Sequence, residues 1–329
     1  MVRELSTAFV ANGGYAGLRA LLGLAMKRAA QGAATLFVAA TLIFAATNLL
    51  PGNIAATILG QSATPSAVAA MERELGLDQP LLHRYASWLD QLAHGDFGVS
   101  YTTQTPVAES IAPRLAKTVV LAVSAAVIAI PLSLILGMLA VLRRGGSLDR
   151  GIVFLMRLSV ALPEFFTGYL LILVFSVALS WLPSSAAAAN SVAALALPCA
   201  TLVLAIVGHM TSMTRAALID VMSQPFIEMA GLKGLPRRRV IWRHALPNAV
   251  APIVTIVALN LAYLTVGAVV VETIFVYPGL GQYMVDSVVK RDVPAVQACG
   301  VIFGAIYVAL NLLADLIALA ANPRLRHPK

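Results

Sequence analysis

Six long apolar runs constrain the fold of this chain more than any other feature of its sequence. A helix needs about 20 residues to cross a hydrocarbon core of about 30 Å. Only helices and closed barrels satisfy every backbone N–H and C=O group within lipid, and continuous apolar runs favour helices. The predicted fold class is therefore an all-α, polytopic membrane protein. Its six transmembrane helices are predicted at residues 29–50, 116–142, 152–181, 192–213, 249–275 and 296–321.

Composition supports a membrane protein and argues against a nucleic-acid-binding protein and against a metal or redox protein. Of the 329 residues, 59% are apolar and 12% are charged, about half the charged share of a soluble domain. The net charge of +8 comes from basic clusters at the edges of apolar runs, which does not indicate nucleic-acid binding. Cys199 and Cys299 each stand alone in an apolar run, a pattern that predicts neither a metal site nor a redox motif. They are either two small hydrophobic residues or a pair that meets near one membrane face.

The distribution of basic residues predicts the orientation and the domain organisation. Of the 23 Lys and Arg residues, 17 lie on the side of the N-terminus and six on the other, which predicts cytoplasmic termini. Residues 1–28 lack the continuous apolar stretch of a cleaved signal and are expected to be a cytoplasmic segment before an uncleaved anchor. The remaining predicted parts are the first span at 29–50, an external helical loop at 51–115, a five-helix core at 116–321 containing an inner loop at 214–248, and a cytoplasmic tail at 322–329. The six basic residues on the external side are Arg73, Arg84, Arg114, Lys117, Lys290 and Arg291.

The external loop carries three helix-start signals. Thr64-Pro65 and Pro80 each predict a helix, the first ending near Gly76, and Thr105-Pro106 predicts a third, short helix before the second span. The second helix has an apolar stripe that suits a membrane interface or docking surface, or equally packing on the outer ends of the spans. The stripe consists of Leu81, Leu82, Tyr85, Trp88, Leu89 and Leu92.

The inner loop between Pro225 and Asn248 has more helix start and stop signals than a simple connection needs. Its pattern predicts one short helix from Phe226 to Lys233, a left-handed residue at Gly234, and a second helix from Pro236 to about Leu246, which Pro247 ends. Two short helices at a sharp angle form a knob. Its small residues, Ala230, Gly231 and Gly234, are expected to let it enter a groove on another protein closely. The alternative is a basic loop that only fixes topology.

The residues of this loop resemble the coupling motif of ATP-binding-cassette (ABC) importer permeases. That motif is Glu-Ala-Ala, three residues, Gly, nine residues and Ile-x-Leu-Pro. This chain has Glu228-Met229-Ala230, Gly234 and His244-Ala245-Leu246-Pro247, so Met229 and His244 depart from the general pattern. Residues expected to couple the chain to an ATPase are Glu228, Met229, Ala230, Gly231, Gly234, Pro236, His244, Leu246 and Pro247.

Further stretches along the chain are similar to the first permease subunit of dipeptide, oligopeptide and nickel importers. The resemblance implies the type I ABC importer fold, a homologous second permease, two ATPase subunits that hold ATP and Mg²⁺, an extracytoplasmic solute-binding protein, and a bacterial inner-membrane location. The stretches begin at Leu50-Pro51-Gly52, Glu74-Leu75-Gly76, Gly95-Asp96-Phe97, Leu162-Pro163-Glu164, Val271-Glu272-Thr273, Pro278-Gly279-Leu280 and Asn311-Leu312-Leu313.

Polar residues inside the predicted spans need a reason, because a charge at mid-membrane costs about 2.5–3.5 kcal/mol on insertion scales. Glu164 follows Pro163 in the third span and either lines the path, attracting an amino terminus or a cation, or caps the backbone that the proline frees. Glu272 forms a gate or docking group, or hydrogen-bonds the turn that follows it. Asp315, one helical turn after Asn311, is expected to pair with an Arg of a neighbouring loop. His209 is either titratable or a packed helix histidine.

The sequence holds no phosphate-binding loop, GxSxG or HExxH motif, so the chain is expected to bind no cofactor itself and to have no catalytic residues. The favoured function is an importer permease for peptides or similar solutes. The alternatives are an ion-gradient-driven secondary transporter, a membrane scaffold, or an importer of nickel chelates, opines, glutathione or sugars.

Overall fold

The computed structural model describes residues 2–49, 52–188 and 191–321, and within them the fold is all-helical. Five helices there are long and apolar enough to cross a membrane, and a bent pair makes a sixth crossing if it counts as one span. The prediction of an all-α, six-span protein is confirmed. Leu50-Pro51 and the predicted tail at 322–329 lie outside the described residues.

The described part of the chain contains thirteen α-helices, numbered here from the N-terminus. A 3₁₀ turn, Gly60–Ser62, follows α2, and π-helical segments follow α7 at Ile172–Ala178 and α10 at Ile241–Ala245. The helices are α1 Val2–Leu49, α2 Ile54–Leu59, α3 Pro65–Glu74, α4 Leu81–Ala93, α5 Val107–Leu142, α6 Ser147–Ala161, α7 Glu164–Leu171, α8 Val192–Met222, α9 Pro225–Leu232, α10 Arg237–Val240, α11 Leu246–Ile274, α12 Leu280–Val289 and α13 Val293–Ala321.

Helices α8 and α11 form the centre of the bundle. Helices α5, α6 and α11 pack on α8, while α13 packs on α11 and α1 lies outside on α13. The most apolar window of α8 is 56% buried, that of α11 is 50% buried, and that of α1 only 11%. Cys199 belongs to the large hydrophobic cluster around α8, and Cys299 to a separate cluster of α5, α12 and α13. The two cysteines are therefore buried small residues in different parts of the core and not a meeting pair.

The predicted third span is wrong as a single straight helix. It consists of α6 and the segment Glu164–Ala178, which meet at an angle of 102°. Leu162 is extended, with ψ of 123°, because the ring of Pro163 disfavours the helical conformation of the residue before it. Glu164 thus begins the second helix of the pair instead of lying inside one long span.

The second span begins earlier than predicted. The expected short helix after Thr105-Pro106 is the first part of α5, which runs without a break from Val107 to Leu142 and contains Pro113 and Pro131. The same applies to residues 1–28, whose described part is continuous with the first span as helix α1.

Helices α3 and α4 of the 51–115 segment follow the prediction, whereas α2, Ile54–Leu59, was not predicted. Thr64 caps α3 by accepting a hydrogen bond from Ala67 N at 3.3 Å, and Gly76 follows that helix with φ of 63°. Within the α4 stripe, Tyr85 and Trp88 stack on Phe44 of α1, with ring centroids 5.1 and 5.3 Å away. These two aromatic residues pack the segment onto the bundle, whereas Leu82 is 81% exposed.

The chain connectivity defines two ends of the bundle. Residues 225–245 connect α8 to α11 at one end, called here the knob end. The turn between α11 and α12 lies at the other, called the far end, because α11 has 29 residues and is therefore about 43 Å long. Helix α12 at the far end was not predicted.

Candidate functional site

The knob, defined as residues 225–245, is built from two short helical segments with a sharp turn between them. Pro225 occupies the first turn of α9, where its missing N–H leaves no bond unmade. Gly234 follows that helix with φ of 76°, a backbone conformation that glycine adopts without strain. The predicted left-handed residue is confirmed, and it lets Pro236 begin the second segment.

A small hydrophobic core holds the knob together. Ile227, Ala230, Val240 and Ala245 are all buried in it. Ala230 is only 7% exposed, so the prediction that its small size helps the knob enter a partner's groove is wrong. Its small size instead lets α9 pack on the second segment.

The outer surface of α9 is apolar and exposed. Phe226, Met229 and Leu232 expose 47%, 55% and 77% of their surfaces, and Glu228 and Gly231 lie exposed beside them. These three apolar residues are called here the knob face. Phe226 and Leu232 were not among the predicted coupling residues, although large apolar side chains in an otherwise basic inner loop were a visible signal.

The second segment of the knob does not stop at Pro247, contrary to the prediction. Residues 237–240 pass through the π-helical turn Ile241–Ala245 directly into α11. A π-turn widens the helix, and Pro247 then occupies the first turn of α11, where no N–H is required. The knob is consequently continuous with a central helix of the bundle.

Two further contacts fix the knob to the bundle. The Arg237 guanidinium donates a hydrogen bond to the Val141 carbonyl at 3.1 Å. Ile241, only 2% exposed, packs with Val141, Leu218 and Ala249 in one hydrophobic cluster. These contacts join the knob to α5, α8 and α11.

The nine predicted coupling residues differ in exposure. Ala230 is buried, and His244 and Leu246 are half-buried. The other six are exposed on the knob or at its junction with α11: Glu228, Met229, Gly231, Gly234, Pro236 and Pro247.

A cavity of about 420 Å³ lies at the middle of the bundle, where α6 and α7 meet α8 and α11. It is called here the mid-membrane cavity, since Tyr263 is the central residue of the candidate span Pro252–Ile274. Its wall contains Pro163 and Glu164 together with His209, Asn260 and Tyr263. The sequence treated Glu164 and His209 separately, and the structure brings them to one cavity.

The polar groups of this cavity form two pairs. His209 Nδ1 and Asn260 Oδ1 are 3.2 Å apart, and the Tyr263 phenol interacts with the Glu164 carboxylate. Among the described residues, Glu164 makes no hydrogen bond to a backbone group, so the structure does not show the capping alternative. Asn260 and Tyr263 were missed, although an Asn in the middle of an apolar run is itself a signal.

Glu272 at the far end is fully buried and fully paired. One oxygen accepts a hydrogen bond from the Thr118 hydroxyl at 2.6 Å, and the other accepts from Gly281 N at 2.7 Å and Gln282 N at 3.2 Å. A Cβ atom on Gly279 would lie 2.2 Å from the carboxylate, so only glycine fits there. The carboxylate caps the start of α12, where negative charge is favoured, and these residues are called here the Glu272 clamp.

A second buried carboxylate at the far end was not predicted. Asp292 is 1% exposed and accepts hydrogen bonds from the Ser100 hydroxyl, from Tyr101 N at 3.0 Å and from the Thr102 hydroxyl at 2.7 Å. It joins the start of α13 to the segment before α5. Burial raises the pKa of the Tyr101 phenol above its usual value, which keeps that ring neutral.

Near the knob end, Asp315 pairs with an Arg as predicted, but the Arg comes from a different segment. Asp315 lies 3.4 Å from the guanidinium of Arg28, so it pairs with an Arg of α1 and not with one in a loop. Asn311 donates to the Tyr307 carbonyl of its own helix at 2.8 Å. An additional pair, Arg215 with the buried Asp149 at 2.9 Å, joins α8 to α6.

Comparison with known proteins gives matches over almost the whole chain. The family model described as the binding-protein-dependent transport system inner membrane component matches residues 129–327, and the N-terminal model of such membrane components matches residues 21–122. A putative peptide transport system permease protein of Brucella abortus is 36% identical over 313 residues, covering 93% of this chain and 100% of the relative. The glutathione transport system permease protein GsiC of Escherichia coli K12 is 36% identical over 307 residues, covering 93% and 100%.

Proposed function

Because the chain belongs to the binding-protein-dependent transport system inner membrane components, the type I ABC importer permeases of the peptide family, we propose that it forms one half of an ATP-driven import channel. The other half is a homologous second permease subunit. The transported solutes are peptides or similar small molecules, the class named for its relatives.

The observation that carries this proposal is the exposed apolar knob face on a knob whose interior is packed. Three large apolar side chains, Phe226, Met229 and Leu232, lie exposed on one eight-residue helix. The knob interior is packed, so these side chains are not needed for its own core. An apolar patch with a polar rim is typical of a protein–protein contact. The proposed partner is a cytoplasmic ATPase subunit, with Glu228 facing a basic group on it.

The knob end is then cytoplasmic, together with both termini. The exposed residues Arg237, Arg238 and Arg239 lie where basic side chains bind anionic lipid headgroups. This orientation agrees with the excess of basic residues on that side of the membrane. It places the far end, with the Glu272 clamp and α4, on the side of the solute-binding protein.

The proposed mechanism is a two-state movement driven from the knob. ATP and Mg²⁺ bind to the partner ATPase subunits, and closure of those subunits moves the knobs of the two permeases. Each knob is continuous with α11 and is bonded to the end of α5, so its movement turns the helices around the channel as a rigid body. Hydrolysis resets the equilibrium.

A secondary transporter is the main alternative, and one observation favours it. The α6–α7 pair is a broken span with polar groups beside the break, and broken spans are typical of ion-coupled carriers. The knob has no role in such a carrier. Membership of the permease family therefore favours the ATP-driven importer over the ion-coupled carrier.

Reconstitution of the chain tests the proposal. Proteoliposomes that hold the chain, the second permease and the ATPases are expected to take up solute delivered by the binding protein only when ATP is supplied to the ATPase side. Proteoliposomes that hold the chain alone are expected to show no uptake with an imposed proton or sodium gradient. Uptake by the chain alone, driven by a gradient, would establish the secondary transporter instead.

A further inference from the structure

The Glu164 carboxylate in the mid-membrane cavity lacks a charged partner of its own. Among the residues whose side chains the structure describes, no Lys or Arg lines this cavity and no salt bridge involves Glu164. Asp149, Asp315 and the two far-end carboxylates are each paired or multiply hydrogen-bonded. An acidic group at this depth needs a cation, a proton or water, and the cavity is large enough to admit a cationic group.

We propose that the mid-membrane cavity is a subsite for a primary ammonium group of the transported solute, with Glu164 as its counter-ion. An ammonium group has three donors and needs three acceptors. The Glu164 carboxylate and the Tyr263 phenol oxygen, which lie together, supply acceptors on one wall. The ring of Tyr263 adds a surface that attracts cations.

The cavity is open on the side that the channel occupies. Tyr263 is 53% exposed and His209 is also exposed, although both lie on the two central helices. Polar side chains at this depth do not face lipid. They therefore face a water-filled path, which is the space between this chain and the second permease. In this respect the subsite rests on the proposed function.

Close packing fixes the position of the carboxylate. A Cβ atom added to Gly267 would lie 2.9 Å from Glu164 Oε2, so α11 approaches the carboxylate at a residue without a side chain. The pair of His209 and Asn260, 3.2 Å apart, forms the neighbouring wall. A methyl group on Gly267 displaces the carboxylate without removing its charge.

The chemistry of the solutes matches this site. Peptides carry a primary ammonium group at the amino terminus. A carboxylate in the path of such a molecule compensates for the loss of water around its charge, because a charge-assisted hydrogen bond is about twice as strong as a neutral one. The subsite therefore favours solutes with a free amino group over the same molecules with that group acetylated.

A labelling experiment tests the subsite without any transport. The variant Val160→Cys places a thiol on the cavity wall, and the two native cysteines are buried, so the parent chain serves as the unreactive control. The assembled importer is treated with methanethiosulfonates that carry a primary ammonium, a trimethylammonium or a sulfonate group. Rates are divided by those of a free thiol in water.

The expected order of the corrected rates is ammonium, then trimethylammonium, then sulfonate. Adding Glu164→Gln is expected to reduce the ammonium preference about tenfold, the effect of one charge-assisted hydrogen bond. Adding Gly267→Ala or Tyr263→Phe is expected to reduce it less. Equal rates for the two cations would show a plain negative field without ammonium recognition and would overturn the proposal. The same preference in Glu164→Gln, or no labelling of Val160→Cys, would also overturn it.

Uptake of trialanine by proteoliposomes separates this proposal from the function on which it rests. Wild-type uptake that needs ATP supports the import function. In that system Glu164→Gln is expected to reduce uptake about tenfold, and Glu164→Asp to restore most of it. If wild-type uptake is ATP-driven and Glu164→Gln matches it, only the ammonium subsite fails. Selective labelling in a chain that moves no solute with ATP would leave the subsite and refute the import function.

Discussion

The two ends of the bundle differ in which side chains they bury and which they expose. At the far end, two buried carboxylates have hydrogen-bond partners within the chain: Glu272 accepts three hydrogen bonds and Asp292 another three. At the knob end, apolar groups are exposed and Leu232 is 77% exposed. These two carboxylates are satisfied within this chain, whereas the knob face is shaped for another protein to cover. Substitutions of the far-end carboxylates should therefore change stability, and substitutions on the knob face should change only assembly and transport.

The largest effect is expected for Glu272→Ala. It leaves the Thr118 hydroxyl and the amides of Gly281 and Gln282 without an acceptor in a buried place, and each unpaired donor costs about 1–3 kcal/mol. We expect the free energy of unfolding to fall by about 3 kcal/mol or more, measured as a lower denaturation midpoint in detergent. The control is Glu109→Ala, which removes an exposed carboxylate at the same end. Equal midpoints for the two variants would contradict a clamp at Glu272.

The next effect is expected for Leu232→Glu on the knob face. A charge in an apolar contact loses the buried area of the leucine and adds a desolvation cost, so ATP-dependent uptake is expected to fall at least about tenfold. The denaturation midpoint of the isolated chain is expected to stay unchanged, because the side chain is exposed. Leu82→Glu provides the matched control, since Leu82 is 81% exposed but belongs to the far end. A lost ATPase association in the Leu82 variant alone would reverse the assignment of the two ends.

A smaller effect is expected for Gly234→Ala. The residue has φ of 76°, and a side chain in that conformation costs about 1 kcal/mol. We expect the denaturation midpoint to fall slightly and uptake to decrease in proportion. Gly231→Ala is the control, because Gly231 is in helix α9 with nothing within 4 Å of an added Cβ. Its midpoint should stay level or rise, and a larger loss there than in Gly234→Ala would disagree with the described turn.

The smallest effect is expected for Asp315→Asn. The pair with Arg28 is 3.4 Å long and both side chains are 40–48% exposed, so its contribution is about 0–1 kcal/mol. The denaturation midpoint should barely change. Any part of its dependence on salt concentration that comes from this ion pair should disappear. A loss as large as that of Glu272→Ala would contradict the small contribution expected of an exposed ion pair.

The sequence predicts the features that depend on local pattern. Apolar length locates the spans, Gly234 and Pro236 locate the knob, and the Glu-x-Ala-x-x-x-Gly spacing identifies the family. It does not predict how Pro163 and Pro247 act, since both prolines follow sequence that suits a helix. Pro163 breaks its span, while Pro247 is accommodated by the π-turn at Ile241–Ala245. Which outcome occurs depends on tertiary packing.

Contacts between segments far apart in the chain could not be predicted from the sequence either. Thr118 and Glu272 are separated by 154 positions, and Ser100 and Asp292 by 192. Nothing in the local pattern pairs them, so Asp292 was not recognised as a buried carboxylate. The grouping of Glu164 with Asn260 and Tyr263 has the same cause. Ala230 was misplaced because helix α9 has two faces, and only packing shows which one is buried.

The most direct test of the central claim is a cross-link from the knob face. Leu232→Cys, in a chain whose native cysteines are buried, is combined with the full set of importer subunits and a thiol-reactive cross-linker. We predict an adduct with an ATPase subunit whose yield changes when ATP is added, and no such adduct from Leu82→Cys. A Leu232→Cys chain that supports full ATP-dependent uptake without forming any ATPase adduct would contradict the claim that the knob transmits the movement.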